Sequence, residues 1–423
     1  MPNIKIETLG CKMNFCDSEK LKNKLQKIGF TVFLEKDFFN EKNKQKIDFA
    51  LCNTCCVTNL AEKKSRQKIA ALKNLSPQKI IITGCAVKVF AKKWQQKFPD
   101  YLILPTLKEV ITFFKQEFDK NKNYNNELKF TNTVNINHGK SRTRKLIPIQ
   151  TGCDNFCSFC IVPLARGRSI SFSKTKIIEK IKQAEKIGFK EIVLTGINLA
   201  AWGCSNSNKH QESKFAFLLE EILAKTKNLR FRISSLGSQY LNKKFFQIFA
   251  HHRICDHLHL SIQSGSKKIL KKMNRGHLID EVLFIAENAK KIRSSVALTA
   301  DFIVGFPTES EEDFQQSCLL TQKLSLAKLH VFPFSKRSGT LASKMKEQIS
   351  VEIKKKRAKI LREIGNQLRQ KFLQKNINTE KMVLFEHNQT GLTSNFIRVF
   401  KPKSQENDLK KILLTENNIL FNN

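Results

Sequence analysis

The chain has 423 residues, 75 Lys and Arg against 37 Asp and Glu for a formal charge of +38, and a hydrophobic fraction of 41%. That fraction supports packed cores and excludes disorder throughout, and the length suits about three domains at roughly 150 residues each. No apolar run approaches the roughly 18 residues of a membrane span. Met1–Gly10 holds no apolar stretch long enough for a signal peptide. The expected location is therefore cytoplasmic, with no membrane partner. The basic excess favours a polyanionic partner, nucleic acid ahead of a merely basic surface. Abundant Lys, Asn, Ile and Phe are also what an A- and T-rich genome produces. Twelve cysteines in a long chain without a signal peptide read as metal or redox groups rather than disulfides.

In chain order, residues 1–114 alternate short apolar runs with helix-like segments: Ile4–Leu9 then Ser18–Ile28, Asp48–Leu51 then Asn59–Leu72, Ile80–Thr83 then Val87–Phe98. Strands alternating with helices predict an α/β domain on a parallel sheet. Residues 115–144 are polar, rich in Asn and Lys, and read as a linker. From 145 to 375 the alternation recurs six times, with strands at Pro148–Thr151, Glu191–Thr195, Leu229–Ser234, His257–Ser261, Val296–Val304 and Lys328–Phe332. This predicts a partial or complete βα barrel or an open α/β sheet. Val351–Lys375 closes the region as a long basic helix. Residues 376–423 carry short strand-like runs at Met382–Phe385, Phe396–Phe400 and Lys411–Leu414, which fit a small β-barrel module.

The sharpest chemical signal is Cys153-Asp-Asn-Phe-Cys157-Ser-Phe-Cys160. Three thiolates in one loop can ligate three irons of a cubane and leave the fourth iron open to a substrate molecule. A zinc site would need a fourth Cys or His close by, and none follows. The loop comes at the C-terminal end of the first barrel strand, the face that carries catalytic groups. The other strands end in polar or Gly-rich turns at Thr195–Asn198, Ser234–Gly237, Gln263–Ser266, Gly305–Glu309 and Pro333–Arg337. Cys11, Cys55 and Cys85 each follow a predicted strand and precede a predicted helix. Neighbouring parallel strands place such loops on one sheet edge, and helix N-termini favour a negative cluster there. Three unrelated small buried residues is the alternative. Cys52, inside its strand, and Cys56, pointing away from Cys55 if the chain stays extended, read as structural, and Cys16, Cys204, Cys255 and Cys318 as packing.

The Cys-x3-Cys-x2-Cys loop, with an aromatic before its last Cys, resembles the radical S-adenosylmethionine superfamily. The resemblance implies that Cys153, Cys157 and Cys160 hold a [4Fe-4S] cluster whose open iron chelates S-adenosylmethionine, with Phe159 by the adenine. It places Gly196, Gln263, Ser264 and Arg275 at cofactor-contact positions; each reads equally as a turn or surface residue. Together with Cys11, Cys55 and Cys85, the chain is similar over nearly its whole length to the methylthiotransferase family. That implies an N-terminal methylthiotransferase domain with a second [4Fe-4S] cluster, a central radical S-adenosylmethionine (βα)6 partial barrel and a C-terminal TRAM module. It further implies tRNA at its anticodon loop as partner, a sulfur source, and an electron donor such as flavodoxin or ferredoxin.

Three branches of that family compete: those acting on N6-isopentenyladenosine in tRNA, on N6-threonylcarbamoyladenosine in tRNA, and on an aspartate of a ribosomal protein. Thr8–Asn14, Asn53–Asn59 with Lys64–Gln67, Leu164–Arg168 and His330–Ser335 resemble the threonylcarbamoyladenosine branch. The expected reaction is thus 2-methylthiolation of that nucleoside at position 37. Departures from the family pattern stand at Gly237, usually Glu, Thr308, usually Gly, and Ser338, usually Pro. At Gly237 the lost carboxylate is expected to be replaced by Asp301 or Glu309, or cofactor affinity to be lower. A non-catalytic iron–sulfur RNA-binding protein is the rival from another class. It would more often close its cluster with a fourth ligand.

Overall fold

A computed structural model describes residues 1–34, 46–120, 142–204, 213–276 and 278–421; most of the segment read as a linker lies outside these. The chain divides into two compact units, Met1–Ser141 with Leu164–Arg166, and Arg142–Pro163 with Gly167–Asn423.

The first unit runs β1 (Asn3–Thr8), α1 (Lys12–Ile28), β2 (Thr31–Leu34), β3 (Phe49–Thr54), α2 (Asn59–Lys73), β4 (Lys79–Gly84), α3 (Cys85–Lys97), β5 (Leu102–Ile103) and α4 (Leu107–Lys120). The strands form one parallel sheet in the order β2-β1-β3-β4-β5. Central β3 is buried along its whole length, as a parallel strand covered on both faces must be. Ile4, Ile6, Leu51 and Ile81 of the sheet pack with Leu21 and Leu25 of α1 and Phe114 of α4. Helix α1 starts six residues before the predicted Ser18, because Met13 and Cys16 are also buried on its inner face. Helix α4 runs past residue 114 to Lys120.

The chain continues with β6 (Lys145–Pro148), β7 (Gln150–Thr151), α5 (Val162–Arg166, its last three residues counted with the first unit), β8 (Ile170–Ser171), α6 (Lys174–Lys186), β9 (Glu191–Thr195), α7 (Phe215–Ala224), β10 (Arg230–Ile233), β11 (Ser235–Leu236), α8 (Lys243–Phe249), β12 (His257–Gln263), α9 (Lys267–Lys272), α10 (Ile279–Ile292), β13 (Ala297–Val304), α11 (Glu311–Leu324), β14 (Lys328–Pro333) and α12 (Val351–Gln374). Parallel ladders β6-β9-β10 and β11-β12-β13-β14 follow each other across Ser234. Six strand positions result, and no ladder joins β6 to β14 among the described residues. This is a partial barrel.

Strand periodicity sorts its side chains. Ile192 and Leu194, Phe231 and Ile233, Leu258 and Leu260, Leu298, Ala300 and Phe302, and Val331 join the core under the helices. The alternate residues, Glu191, Arg230, Arg232, His257, His259, Thr299, Asp301 and His330, line the opposite, lumen face.

After α12 come β15 (Glu380–Phe385), β16 (Thr390–Thr393), β17 (Arg398–Phe400) and β18 (Leu409–Leu413), an antiparallel sheet in the order β17-β16-β15-β18. It covers the end of the barrel where the strands begin. Arg230 donates to the carbonyls of Met382 and Leu392, both at 2.9 Å. Arg232 donates to those of Ser394 at 3.0 Å and Thr393 at 2.8 Å. Phe396 stacks on His257 with ring centres 4.5 Å apart. The opposite mouth, where the strands end, is the one left for chemistry. No helix among the described residues is long and apolar enough to cross a membrane.

Candidate active site

The loop Cys153–Cys160 leaves β7 at that mouth and is fixed by backbone bonds. Cys153 N–H donates to Gly167 O (3.2 Å), Ser158 N–H to Met273 O (2.9 Å) and Cys160 N–H to Cys157 O (2.9 Å). Gly152 enters it at φ +70°, where a Cβ would lie 1.9 Å from the Arg168 carbonyl oxygen, so the approach needs glycine. Burial pushes the thiol of Cys153 up to about 11 and that of Cys160 up to about 12. A thiolate persists in such a place only beside positive charge. Arg275 supplies some: its Nη1 donates to Cys157 Sγ at 3.4 Å, Nη2 holds the Ser261 carbonyl, and buried Nε has no hydrogen-bond partner among the described residues. Three soft sulfur donors, no fourth donor at the loop and an unsatisfied guanidinium N–H fit an anionic iron–sulfur cubane.

Phe159 packs, partly buried, against Ile269, Met273, Phe306 and Phe334. Gly196 follows β9, where a Cβ would meet the Gln150 carbonyl oxygen at 3.1 Å. Gln263 ends β12 at φ +80°, an uncommon left-handed conformation for a non-glycine residue. Ser264 is fully buried; its hydroxyl lies 3.5 Å from that of Ser317 and accepts from Ser266 N–H at 3.1 Å. Its side chain thus lies between the cap of α9 and α11.

Both acids expected to replace the carboxylate missing at Gly237 are engaged by other groups, although Glu309 Oε1 is buried with no hydrogen-bond partner among the described residues. Glu309 is buried and takes Arg357 Nη1 at 2.7 Å and Gly305 N–H at 2.6 Å. Burial raises its carboxyl to about 7. Asp301 receives His259 Nε2 and His330 Nδ1, each at 3.1 Å. A side chain at Gly237 would instead meet Gln239 Oε1 at 3.0 Å and Asn198 Oδ1 at 3.3 Å, so amides fill that space. Gln239 Oε1 is buried with no hydrogen-bond partner among the described residues.

In the first unit Cys11 caps α1 and Cys85 opens α3, where helix N-termini favour thiolates. Gly10 and Gly84 both have positive φ; a Cβ on Gly10 would lie 2.7 Å from Cys55 Sγ, and one on Gly84 would strike Thr54 backbone. These glycines let the three strand ends close up. Burial raises the Cys55 thiol to about 11, with Cys11 and Cys85 adding to the rise. Cys85 is lowered to about 7, chiefly by a hydrogen bond from Cys56. Strand β3 ends at Thr54, two residues before Cys56, so the extended chain supposed there does not continue.

Two organising residues escaped sequence reasoning. Asn14 Oδ1 accepts from Cys85 Sγ at 3.5 Å and Cys11 Sγ at 3.9 Å, while its Nδ2 donates to the carbonyls of Leu9 and Thr54. Buried Gln150 donates to Thr151 O, Gly152 O and Ser169 Oγ and accepts from Ile197 and Asn198 N–H. It joins the cysteine loop to the Gly196 turn. A polar residue directly after an apolar one, Met13 and Ile149 respectively, was their only signal.

Residues 147–320 match the model of the Radical SAM superfamily, and residues 3–104 that of Uncharacterized protein family UPF0004. The threonylcarbamoyladenosine tRNA methylthiotransferase of Rickettsia prowazekii is 35% identical over 93% of this chain and 90% of its own. That of Aquifex aeolicus is 34% identical over 94% and 96%. The tRNA-2-methylthio-N(6)-dimethylallyladenosine synthase of Clostridium tetani is 34% identical over 85% and 80%. Among solved structures, the radical S-adenosylmethionine methyltransferase TsrM of Kitasatospora setae aligns with a TM-score of 0.59 at 11% identity, over 81% of this chain and 77% of that one, a likeness of fold.

Proposed function

We propose that this chain, which belongs to the radical S-adenosylmethionine methylthiotransferase family, converts N6-threonylcarbamoyladenosine at position 37 of tRNA to its 2-methylthio form. The observation that carries the chemistry is the loop of Cys153, Cys157 and Cys160 with Arg275 donating to Cys157, the buried one of the three. The substrate reading rests on the names of the relatives from Rickettsia and Aquifex, which cover most of the chain.

When bound, a cubane with one open iron supplies the electron for reductive cleavage of S-adenosylmethionine. Cys153, Cys157 and Cys160 would hold it, Arg275 would offset its charge, and Phe159 and the Gly196 turn would border the cofactor. Cys11, Cys55 and Cys85 would hold a second cluster beside Asn14. A sulfur source and an electron donor such as flavodoxin or ferredoxin complete the reading. The anticodon loop is already single-stranded, so presenting one base to the mouth costs only a few kcal/mol.

Nucleoside mass spectrometry of tRNA from cells lacking this chain tests the assignment. 2-Methylthio-N6-threonylcarbamoyladenosine is expected to disappear and its precursor to accumulate. Loss of the isopentenyl product instead would favour the branch of the Clostridium relative.

A further inference from the structure

Of the barrel's lumen-facing groups, those at the base are spent on the C-terminal sheet. His259, Asp301 and His330 are not. They come from β12, β13 and β14, and Asp301 and His330 are direct neighbours in the ladder. Each Asp301 oxygen takes one imidazole nitrogen at 3.1 Å. His259 Nδ1 is held in turn by Thr299 Oγ1 at 2.8 Å. Burial alone would raise the Asp301 carboxyl, but the hydrogen bonds from both histidines outweigh it and hold it well below the usual carboxylate range. The carboxylate is thus satisfied from two sides and the ring of His330 is fixed by its Nδ1. His330 keeps 40% of its side chain exposed, and its Nε2 makes no hydrogen bond among the described residues. Two positions nearer the mouth, Phe332 is 42% exposed and offers a ring on which a base can stack.

We propose that His330, held by Asp301 and His259, binds the carboxylate of the N6-threonylcarbamoyl group through Nε2–H and thereby selects this nucleoside over one with an apolar N6 substituent. The proposal rests on the substrate reading above. A bond from Nε2–H to an ionised carboxylate oxygen is charge-assisted. An apolar tail in the same place would strip water from Nε2 and pair it with nothing, the kind of mismatch that a site built for hydrogen bonding rejects strongly. Asp301 is a positioning residue: its two oxygens fix both imidazoles, so Nε2 of His330 rather than the carboxylate faces the ligand.

The test uses the reconstituted full chain and three tRNAs, carrying N6-threonylcarbamoyladenosine, its neutral methyl ester, or N6-isopentenyladenosine. The native chain should prefer the acid over the ester by about 10- to 100-fold in kcat/KM, the worth of one charge-assisted bond. In His330→Gln this ratio should fall to near one, and Asp301→Asn should lower it partway. If a variant turns nothing over, the ratio of dissociation constants for the acid and ester stem-loops gives the same reading. Equal use of acid and ester by the native chain, or a ratio unchanged in His330→Gln, would overturn the proposal. Use of only the isopentenyl tRNA by the native chain would overturn the substrate reading itself, a separate outcome.

Discussion

At the residue scale, the two sulfur groups differ in how far each is local. Cys153, Cys157 and Cys160 share a single loop, so spacing alone exposed them. Cys11, Cys55 and Cys85 could be grouped only by supposing that three parallel strands end side by side, which β1, β3 and β4 do. The anaerobically reconstituted chain should hold about eight irons, as two cubanes. The triple alanine variant of Cys11, Cys55 and Cys85 should hold about four, and undiminished iron by colorimetric assay would refute that grouping. Arg275 acts on the other group. Removing a hydrogen bond and a positive charge beside a cluster sulfur makes reduction harder. Arg275→Gln should therefore shift the barrel cluster's midpoint potential negative, by about tens of millivolts, in redox-poised EPR. A potential equal to that of the native chain would leave Arg275 with only its bond to Ser261. Asn14 and Gln150 were illegible because at least half of their partners, Thr54 and Cys85 for the first and Ser169, Ile197 and Asn198 for the second, come within reach only after the sheets assemble.

At the element scale, five of the six barrel strands lie where expected because each is a short apolar run between helices, whereas the first, expected at Pro148–Thr151, runs Lys145–Pro148. What seals the barrel was not legible. Strand β16 (Thr390–Thr393) went unmarked, and nothing in the pattern of Arg230 and Arg232 indicates that they end on its carbonyls. Glu191 organises this closure: its carboxylate takes Arg230 Nε at 2.6 Å and Arg232 Nε at 2.7 Å at the start of the lumen. Burial alone would raise that carboxyl, yet Arg232, Arg230 and Arg144 hold it at about 2, against an ordinary 4.5. A folded value below the unfolded one stabilises above the unfolded pKa, and the contribution is lost as pH falls from 4.5 toward 2. At about 1.4 kcal/mol per unit it is worth about 3 kcal/mol near neutrality. Glu191→Gln leaves two buried guanidinium groups short of an anion and should cost about 3–5 kcal/mol in denaturant unfolding. The variant should also lose less stability than the native chain between pH 4.5 and 2, by the share that Glu191 contributes. A stability within about 0.5 kcal/mol of native would show that the arginines are satisfied by the carbonyls alone.

At the scale of the whole molecule, the charge of +38 is a prior for a polyanion, and the structure shows that not all of it is free to act. Helix α12 carries two kinds of base. Arg357 is buried on Glu309, with Nη1 to Oε2 at 2.7 Å, and Arg369 is buried with Nη1 on the Ala327 carbonyl at 3.4 Å. Lys354 lays its stem on Gly305 and its Nζ over the ring of Phe334, 5.4 Å from the centre. These three fasten α12 to the barrel. Lys355, Lys356 and Lys359 face solvent, as Arg362 and Lys371 do further along the helix, and are available to phosphates. Each phosphate contact releases counterions, so the logarithm of affinity falls with the logarithm of salt by about 0.7 per contact on single strands. Replacing Lys355, Lys356 and Lys359 together by Gln should flatten that slope for an anticodon stem-loop by about 2 and leave thermal stability unchanged, since none of the three is buried. The measurement is filter binding across a salt series. A slope equal to that of the native chain would make this run a solvated helix face and move the phosphate contacts to another part of the surface.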